Sequence, residues 1–346
     1  MTSNTKKALN VGVVGATGVV GEVFLQLLAE RNFPVKELRL FASDRSLGQT
    51  RAFKGRQVPI DVLAPGCFKG LDLVFFSSGD DISRDWAPQA VAAGAVAVDN
   101  SAAFRMTDSI PLVVPEVNGH RLPPPGKPMV IANPNCSTIQ LVVALKPLLQ
   151  DFGLESVHVA TYQAVSGAGK AGQEELGHQL KAWAAGETAQ DAQTFPHPIA
   201  MNCIPQIGSF QANGFCTEEL KIMRETKKIL EDSSFRVSAF TVRVPAWNAH
   251  SEVAWVRLKK TASQSEVLKS LHRQTGLQVI DSPQDSVYPL AIHSSDQDPV
   301  AVGRIHQDLE DPQTWILWIV ADNLRKGAAL NGIQIAERIF DIAPHP

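Results

Sequence analysis

The sequence predicts an α/β fold whose first part is a doubly wound parallel sheet. Short, valine-rich apolar runs alternate with helix-compatible stretches through the first third of the chain, the rhythm of parallel strands joined by crossover helices. The turn after the first run, Gly15-Ala16-Thr17-Gly18-Val19-Val20-Gly21, sets glycine at every third position. A first βα turn needs glycine for tightness, for close approach of backbone to a pyrophosphate and for helix–strand packing. After Cys136 the chain changes character, with a helix leading into one long strand.

Taken in order, Ala8 to Val14 is the first strand and a helix runs from about Glu22 to Glu30. Buried-type strands follow at Leu38–Ala42, Leu71–Ser77 and Ala95–Asp99, with a helical stretch at Ser83–Ala93. Together these make a Rossmann-type dinucleotide-binding unit, with glycine spacing GxxGxxG in place of the commoner GxGxxG. In the loop Ser43-Asp44-Arg45-Ser46, Asp44 suits a ribose 2′-hydroxyl. Arg45 flanked by Ser43 and Ser46 offers a charged donor and two hydroxyls to a 2′-phosphate, which favours NADP over NAD.

Cys136 stands between an apolar run at Met129–Ala132 and an apolar, helix-compatible run at Thr138–Leu149. Pro134 with the polar Asn135 and Ser137 makes a poor apolar niche and a good helix start. Unpaired N–H groups and the positive dipole end favour a thiolate there, the form that attacks acyl carbon. The same backbone donors are available to a tetrahedral oxyanion. The helix is expected to end near Gln150, and the strand Glu155–Val165 carries Gln163 close to its end. That strand runs into Ser166-Gly167-Ala168-Gly169-Lys170-Ala171-Gly172, read as a loop whose backbone can approach a ligand.

Thr217 reads as the cap of a helix with an acidic first turn, Glu218 and Glu219, followed by Lys221. Strands at Val237–Val244 and Glu252–Leu258 put Arg243 and His250 near the two ends of their connection, where both can face one site. Trp315–Val320 reads as a strand, and Asn323–Phe340 as an amphipathic helix with Leu324, Ala328, Ile333, Ile335 and Ile339 on its apolar side. The other histidines, His345 among them, read as structural.

Composition narrows the function. A chain of 346 residues, 44% hydrophobic and 19% charged, is globular and long enough for two domains. A net charge of -3, without basic runs interleaved with aromatics, argues against a nucleic-acid partner. No apolar run reaches membrane length, and Met1 to Lys7 lead into a strand without the apolar core of a secretory signal. Four cysteines without CxxC pairing suggest neither a disulfide framework nor a metal site, and they fit a reducing cytosol.

Six segments, in order and spanning nearly the whole chain, resemble the aspartate-semialdehyde dehydrogenases. They are Gly15 to Gly21, Asp99-Asn100-Ser101-Ala102-Ala103-Phe104-Arg105, Asn133-Pro134-Asn135-Cys136-Ser137-Thr138, Gln163 to Gly169, Arg243-Val244-Pro245 with His250-Ser251-Glu252, and Ala321 to Gly327. Family members carry Asp-Asn-Ser-Ser or Asp-Asn-Ser-Ala ahead of the phenylalanine and arginine; this chain has Ala102-Ala103 there.

The resemblance implies NADPH-dependent reductive dephosphorylation of L-aspartyl 4-phosphate to L-aspartate 4-semialdehyde and phosphate through a cysteine thioester. That step feeds lysine, threonine, methionine and diaminopimelate biosynthesis. The resemblance gives Cys136 as nucleophile, His250 as general acid/base and Gln163 as the residue orienting the acyl group. It gives Arg243 to the substrate α-carboxylate, Glu218 to its amino group, and Arg105 and Lys221, helped by Asn135, to the phosphate. Gly15, Thr17, Gly18, Val19, Val20, Ser43, Arg45 and Ser46 are implied on NADP, with Ser166, Gly167 and Asn323 on its nicotinamide side.

It further implies an NADP-binding domain over 1–134, completed by a C-terminal helix within 322–346. Residues 135–321 are then an α+β catalytic and dimerisation domain with a mixed sheet that builds a homodimer. Two alternatives stand beside this reading. The N-acetylglutamyl-phosphate reductases resemble Asn-Pro-Gly-Cys-Tyr at the nucleophile, where this chain has Asn135 and Ser137. A catalytically silent paralogue with a binding role would be free to lose Cys136, Arg243 and His250.

Overall fold

The computed structural model describes residues 8–187 and 192–343, so Met1–Lys7 and His345 lie outside the described residues. The chain divides into two compact units, Met1–Pro134 with Ala328–Pro346, and Asn135–Gly327. The chain rejoins the first unit at Ala328, later than the expected 322.

In the first unit, strands β1 (Leu9–Val14), β2 (Val35–Ala42), β3 (Thr50–Phe53), β4 (Arg56–Val62), β5 (Leu73–Phe76), β6 (Val96–Asp99) and β7 (Val130–Ala132) stand in the order β3-β4-β2-β1-β5-β6-β7. All neighbours are parallel except β3, which runs antiparallel to β4 at the edge. The β3–β4 hairpin lacks an apolar pattern, and its two-residue turn is made by Lys54 (φ 45°) and Gly55 (φ 78°). Positive φ at both positions is what the right-handed strand twist asks of so short a turn.

Period-two alternation gives the sheet two buried faces. Leu73 and Phe75 join Val11 and Val13 under helix α1 (Val19–Glu30). Val74 and Phe76 join Val14 and Phe41 on the side of α2 (Asp80–Ala92), through Ala87 and Ala90. A short helix α3 (Pro115–Asn118) follows. The helix expected from Asn323 begins as a π-helical turn at Arg325–Ala329 and becomes α-helical over Leu330–Ile339. This C-terminal helix adds Leu330, Ile333, Ile335, Ala336 and Ile339 to the α1 side of the core.

In the second unit, β8 (Leu154–Gln163), β9 (Arg236–Arg243), β10 (His250–Leu258), β11 (Leu277–Val279), β12 (Val300–Gln307) and β13 (Thr314–Ala321) form a mixed sheet ordered β11-β12-β13-β10-β8-β9. Pairs β8/β9 and β11/β12 are parallel and the others antiparallel. Helices α4 (Cys136–Phe152), α5 (Gly169–Ala184), α6 (Thr217–Leu230), α7 (Gln264–His272) and α8 (Ala291–Ser294) complete the unit. One face of the sheet carries α4 and α6. On the other face Phe240 and Tyr162 are exposed, and Tyr162 meets Trp318 with ring centroids 5.7 Å apart.

Two local expectations are corrected. The glycine-rich stretch after β8 is a 3-10 turn, Val165–Ala168, followed by α5, because Lys170 to Ala184 is rich in helix formers that outweigh Gly172 and Gly177. Thr217 is the first helical residue of α6, and Cys216 holds the cap position, its N–H donating to Glu219 (2.8 Å). Among the described residues no helix is long and apolar enough to cross a membrane.

Candidate active site

Cys136 is the first residue of α4, a helix buried on nearly every side and therefore firmly seated. Asn135 caps it: Oδ1 accepts from the Ser137 N–H (3.0 Å) and the Thr138 N–H (3.2 Å). The cap is itself fastened to α6, since the Asn135 N–H donates to Glu225 (2.7 Å) and Asn135 Nδ2 donates to Glu218 (2.7 Å). Two of the backbone donors at the helix start, the N–H groups of Ser137 and Thr138, are thus taken by the cap.

Glu218 and Glu219 divide their work. Glu219 takes the N–H groups of Cys216 and Thr241 (3.0 Å), which pins α6 to β9. Glu218 reaches Asn135, the Gln163 amide (3.4 Å) and Lys221 (3.4 Å), so it is Glu218 that faces the Cys136 helix start.

Arg243 ends β9 and His250 begins β10, and a third residue brings them together. A Cβ on Gly167 would lie 2.9 Å from Arg243 Nη1 and 3.2 Å from His250 Nε2. The Arg243 guanidinium donates to the Ala164 carbonyl (2.7 Å) and lies over the Phe195 ring. Burial lowers its pKa, while the electrostatic pull of Glu218 and Cys136 draws it back up.

His250 is fully buried. The Ala164 N–H donates to its Nδ1 (3.1 Å), so the neutral ring carries its proton on Nε2, the nitrogen beside Gly167 that has no protein partner. Burial, then the charge of Arg243, holds its pKa well below 6.5. Ser166 Oγ lies 2.9 Å from Asn248 Oδ1 and 3.1 Å from Asn323 Oδ1, and Asn248 donates to Asp322 (2.8 Å).

Sequence reasoning missed Glu225, Ala164 and Glu252. The first two act through backbone contacts with residues some eighty to ninety positions away and leave no local signal. Glu252 had one: two residues past His250, it shares that residue's face of β10. It is fully buried beside Ser137 and Gln140 of α4 without a hydrogen bond of ordinary geometry, and burial pushes its pKa well above the usual carboxylate range.

In the first unit the glycines divide as the turn requires. Gly15 adopts φ 82° with the Ser77 carbonyl 2.8 Å from where a Cβ would be, and a Cβ on Gly21 would run into the Gly15 carbonyl. Gly18 caps α1, is exposed, and its Cβ position meets only the Gly15 carbonyl at 3.4 Å. That open cradle, next to the first N–H groups of Val19 and Val20 and the half-buried Thr17, fits a pyrophosphate. At the end of β2, Ser43, Asp44 and Arg45 are exposed, whereas Ser46 is buried. Arg105 is buried, its Nε donating to the Asn133 carbonyl (3.0 Å) and its Nη2 to the Asn100 carbonyl (2.9 Å). Asn331 of the C-terminal helix donates to Asn133 Oδ1 (2.7 Å), and Asn133 Nδ2 donates to Asn100 Oδ1 (2.7 Å).

Two family models match, a semialdehyde dehydrogenase NAD binding domain over residues 10–123 and a semialdehyde dehydrogenase dimerisation domain over 145–326. An aspartate-semialdehyde dehydrogenase of Aquifex aeolicus is 48% identical over 94% of this chain and 96% of its own length. Aspartate semialdehyde dehydrogenase II of Vibrio cholerae, solved in complex with ASA, superposes with a TM-score of 0.91 at 41% identity, covering 97% of this chain and 99% of that one. The Candida albicans enzyme solved with NADP gives 0.76 at 26% identity, covering 97% and 100%. With two family models along its length and relatives matched nearly end to end, the chain belongs to the aspartate-semialdehyde dehydrogenase family.

Proposed function

We propose that this chain reduces L-aspartyl 4-phosphate to L-aspartate 4-semialdehyde and phosphate with NADPH, a step toward lysine, threonine, methionine and diaminopimelate. The carrying observation is the grouping of Cys136, Arg243, Glu218 and His250 at the start of α4. It combines a nucleophile, a cation for a carboxylate, an anion for an ammonium group, and a proton carrier.

The Cys136 thiolate attacks the acyl carbon and a C–S bond forms; the C–O bond to phosphate then breaks with its electron pair on the departing phosphate, leaving a thioester. Arg243 grips the α-carboxylate and Glu218 the amino group, which holds the reacting carbon against sulfur. The Gln163 amide and the His250 Nε2–H meet the oxygen on which negative charge develops. NADPH, when bound, supplies the hydride that the thioester carbon requires. As the C–S bond breaks to aldehyde and thiolate, its electron pair goes to sulfur, and His250, assigned the acid/base position, keeps its Nε2 proton hydrogen-bonded to the oxygen. Arg105 and Lys221 are assigned to the phosphate, one as a fork and one as a point charge, with Asn135 helping to place it.

Gly15, Thr17, Gly18, Val19 and Val20 would hold the pyrophosphate, and Arg45 with Ser43 the 2′-phosphate. The buried Ser46 is assigned the loop's backbone turn. Ser166, Gly167 and Asn323 are assigned to the nicotinamide side. NADP as cofactor draws support from the NADP-bound relative, and the substrate class from the ASA-bound one. The exposed aromatic face of the second sheet, with Phe240 and Tyr162, supports a homodimer, and the reading places the enzyme in the cytoplasm.

The test is the reverse reaction, followed at the NADPH absorbance band with L-aspartate 4-semialdehyde, inorganic phosphate and either NADP or NAD. Phosphate-dependent reduction of NADP in preference to NAD is expected. A folded preparation with reduced Cys136 and no activity on either cofactor would remove the assignment.

A further inference from the structure

The π-helical turn Arg325–Ala329 is a widened turn of the kind found mostly at functional positions. Buried Asp322 organises it. Its Oδ1 accepts from the N–H groups of Leu324 and Arg325 (2.8 Å each), and its Oδ2 from Asn248 Nδ2 (2.8 Å) and the Asp296 N–H (2.7 Å). Its carbonyl accepts from the Gly327 N–H (3.0 Å), five residues on. The turn so fixed lays Gly327 on the nucleophile's residue. A Cβ there would stand 2.9 Å from Cys136 Cβ, 3.3 Å from Cys136 Cα and 3.5 Å from Asn323 Cβ. Separations below 3.0 Å are essentially never adopted by real Cβ atoms. The atoms opposed are the Cα and first side-chain carbon of Cys136, which no rotamer change can move aside.

We infer that Gly327 is a positioning residue for Cys136. Its missing side chain lets the Asp322–Ala329 turn close on the first residue of α4 and thereby fixes where the sulfur stands relative to Arg243 and His250. The inference rests on the nucleophilic role proposed above for Cys136.

The experiment compares Gly327→Ala with Gly332→Ala, whose added methyl instead meets Phe24 at 3.1 Å inside the first unit. Both crowd packed atoms, so both lower the melting temperature. Three further readouts separate them: the rate of Cys136 alkylation by iodoacetamide across pH, kcat, and KM in phosphate-dependent NADP reduction. In Gly327→Ala alone, kcat is expected to fall about 10- to 100-fold with KM changed less than about threefold, since a shift well under 1 Å at the reacting atom is felt mainly in turnover. The alkylation rate per folded protein changes with it.

Wild-type kcat and alkylation in folded Gly327→Ala, or equal losses in Gly332→Ala, would overturn the inference. Should Gly327→Ala not fold, Asp322→Asn takes its place, keeping the side chain's size while opposing an N–H donor to Asn248 and Asp296. The same losses are expected, and wild-type behaviour overturns the inference. If the wild-type protein reduces no NADP yet its Cys136 alkylation responds to Gly327→Ala and not to Gly332→Ala, the reaction assigned above fails and the positioning role stands.

Discussion

Arg243 and His250 are tied to opposite ends of one residue: the Ala164 carbonyl accepts from Arg243 Nη1 and the Ala164 N–H donates to His250 Nδ1. Because both anchors are backbone groups, they hold the cation and the imidazole in register without a side chain that substitution could remove. The arrangement also fixes chemistry, for an Nδ1 that accepts leaves the proton on Nε2.

The first prediction concerns pH. With burial and Arg243 holding the His250 pKa well below 6.5, the ring stays neutral and keeps its Nε2 proton in mildly acidic solution. The profile of kcat should therefore show no acid limb centred on 6.5. A limb there, absent from a His250→Asn variant's residual rate, would show that His250 titrates as an ordinary histidine.

Cys136→Ala should abolish reduction while leaving the first unit's cradle, and so NADP binding, in place. Steady-state assay and cofactor titration of the same preparation read the two properties. Turnover retained in the variant, free of wild-type contamination, would remove the covalent route.

Arg243→Lys keeps the charge and loses the fork. One ammonium cannot at once hold the Ala164 carbonyl and a carboxylate bidentately. Losing a charged hydrogen bond costs about 1.5–3 kcal/mol, or roughly 10- to 100-fold. The loss should appear as a raised KM for the semialdehyde together with a lowered kcat, measured in the phosphate-dependent assay. Wild-type constants would remove Arg243 from the substrate carboxylate.

Glu252 and His250 impose opposite pH slopes on stability. As pH rises above 4.5 the unfolded chain loses a Glu252 proton that the native protein keeps, so stability falls on the way to the raised native pKa. As pH drops below 6.5 the unfolded chain gains a His250 proton that the native ring refuses until its depressed pKa, so stability falls in that direction. Glu252→Gln, neutral and nearly isosteric, removes only the first slope. Its melting temperature relative to wild type should rise between about pH 5 and pH 8, the window above the unfolded carboxyl's titration. A difference independent of pH would mean that native Glu252 is ionised.

The parts of the molecule legible in the sequence are those specified locally. Valine-rich strands, the glycine turn and the helix start at Pro134–Cys136 each lie within a few residues, and the structure places strands and helix starts there. The β3–β4 hairpin escapes because an edge strand is half exposed and carries no apolar alternation. The cap of α6 is misread by one residue because Thr217 looks like a better cap than Cys216, whereas the bond that matters is Glu219 reaching back to a backbone N–H. Glu218 is singled out over Glu219 by its helix spacing to Lys221, whereas the contacts that occupy Glu219, the N–H groups of Cys216 and of Thr241 on β9, are not all local. The Ala164 anchors join residues seventy-nine and eighty-six positions apart and have no sequence pattern at all.

The C-terminal helix gives this chain an unusual order of completion during synthesis. Leu330, Ile333, Ile335, Ala336 and Ile339 share a core with β1 and α1, which leave the ribosome long before them. All of Asn135–Gly327 emerges before them. The later unit can therefore finish folding while the earlier one still lacks a wall, with Phe24, Leu27 and Leu28 uncovered on that side. Residues made early are thus protected late, and it is the nascent dinucleotide-binding unit that chaperones and proteases meet open.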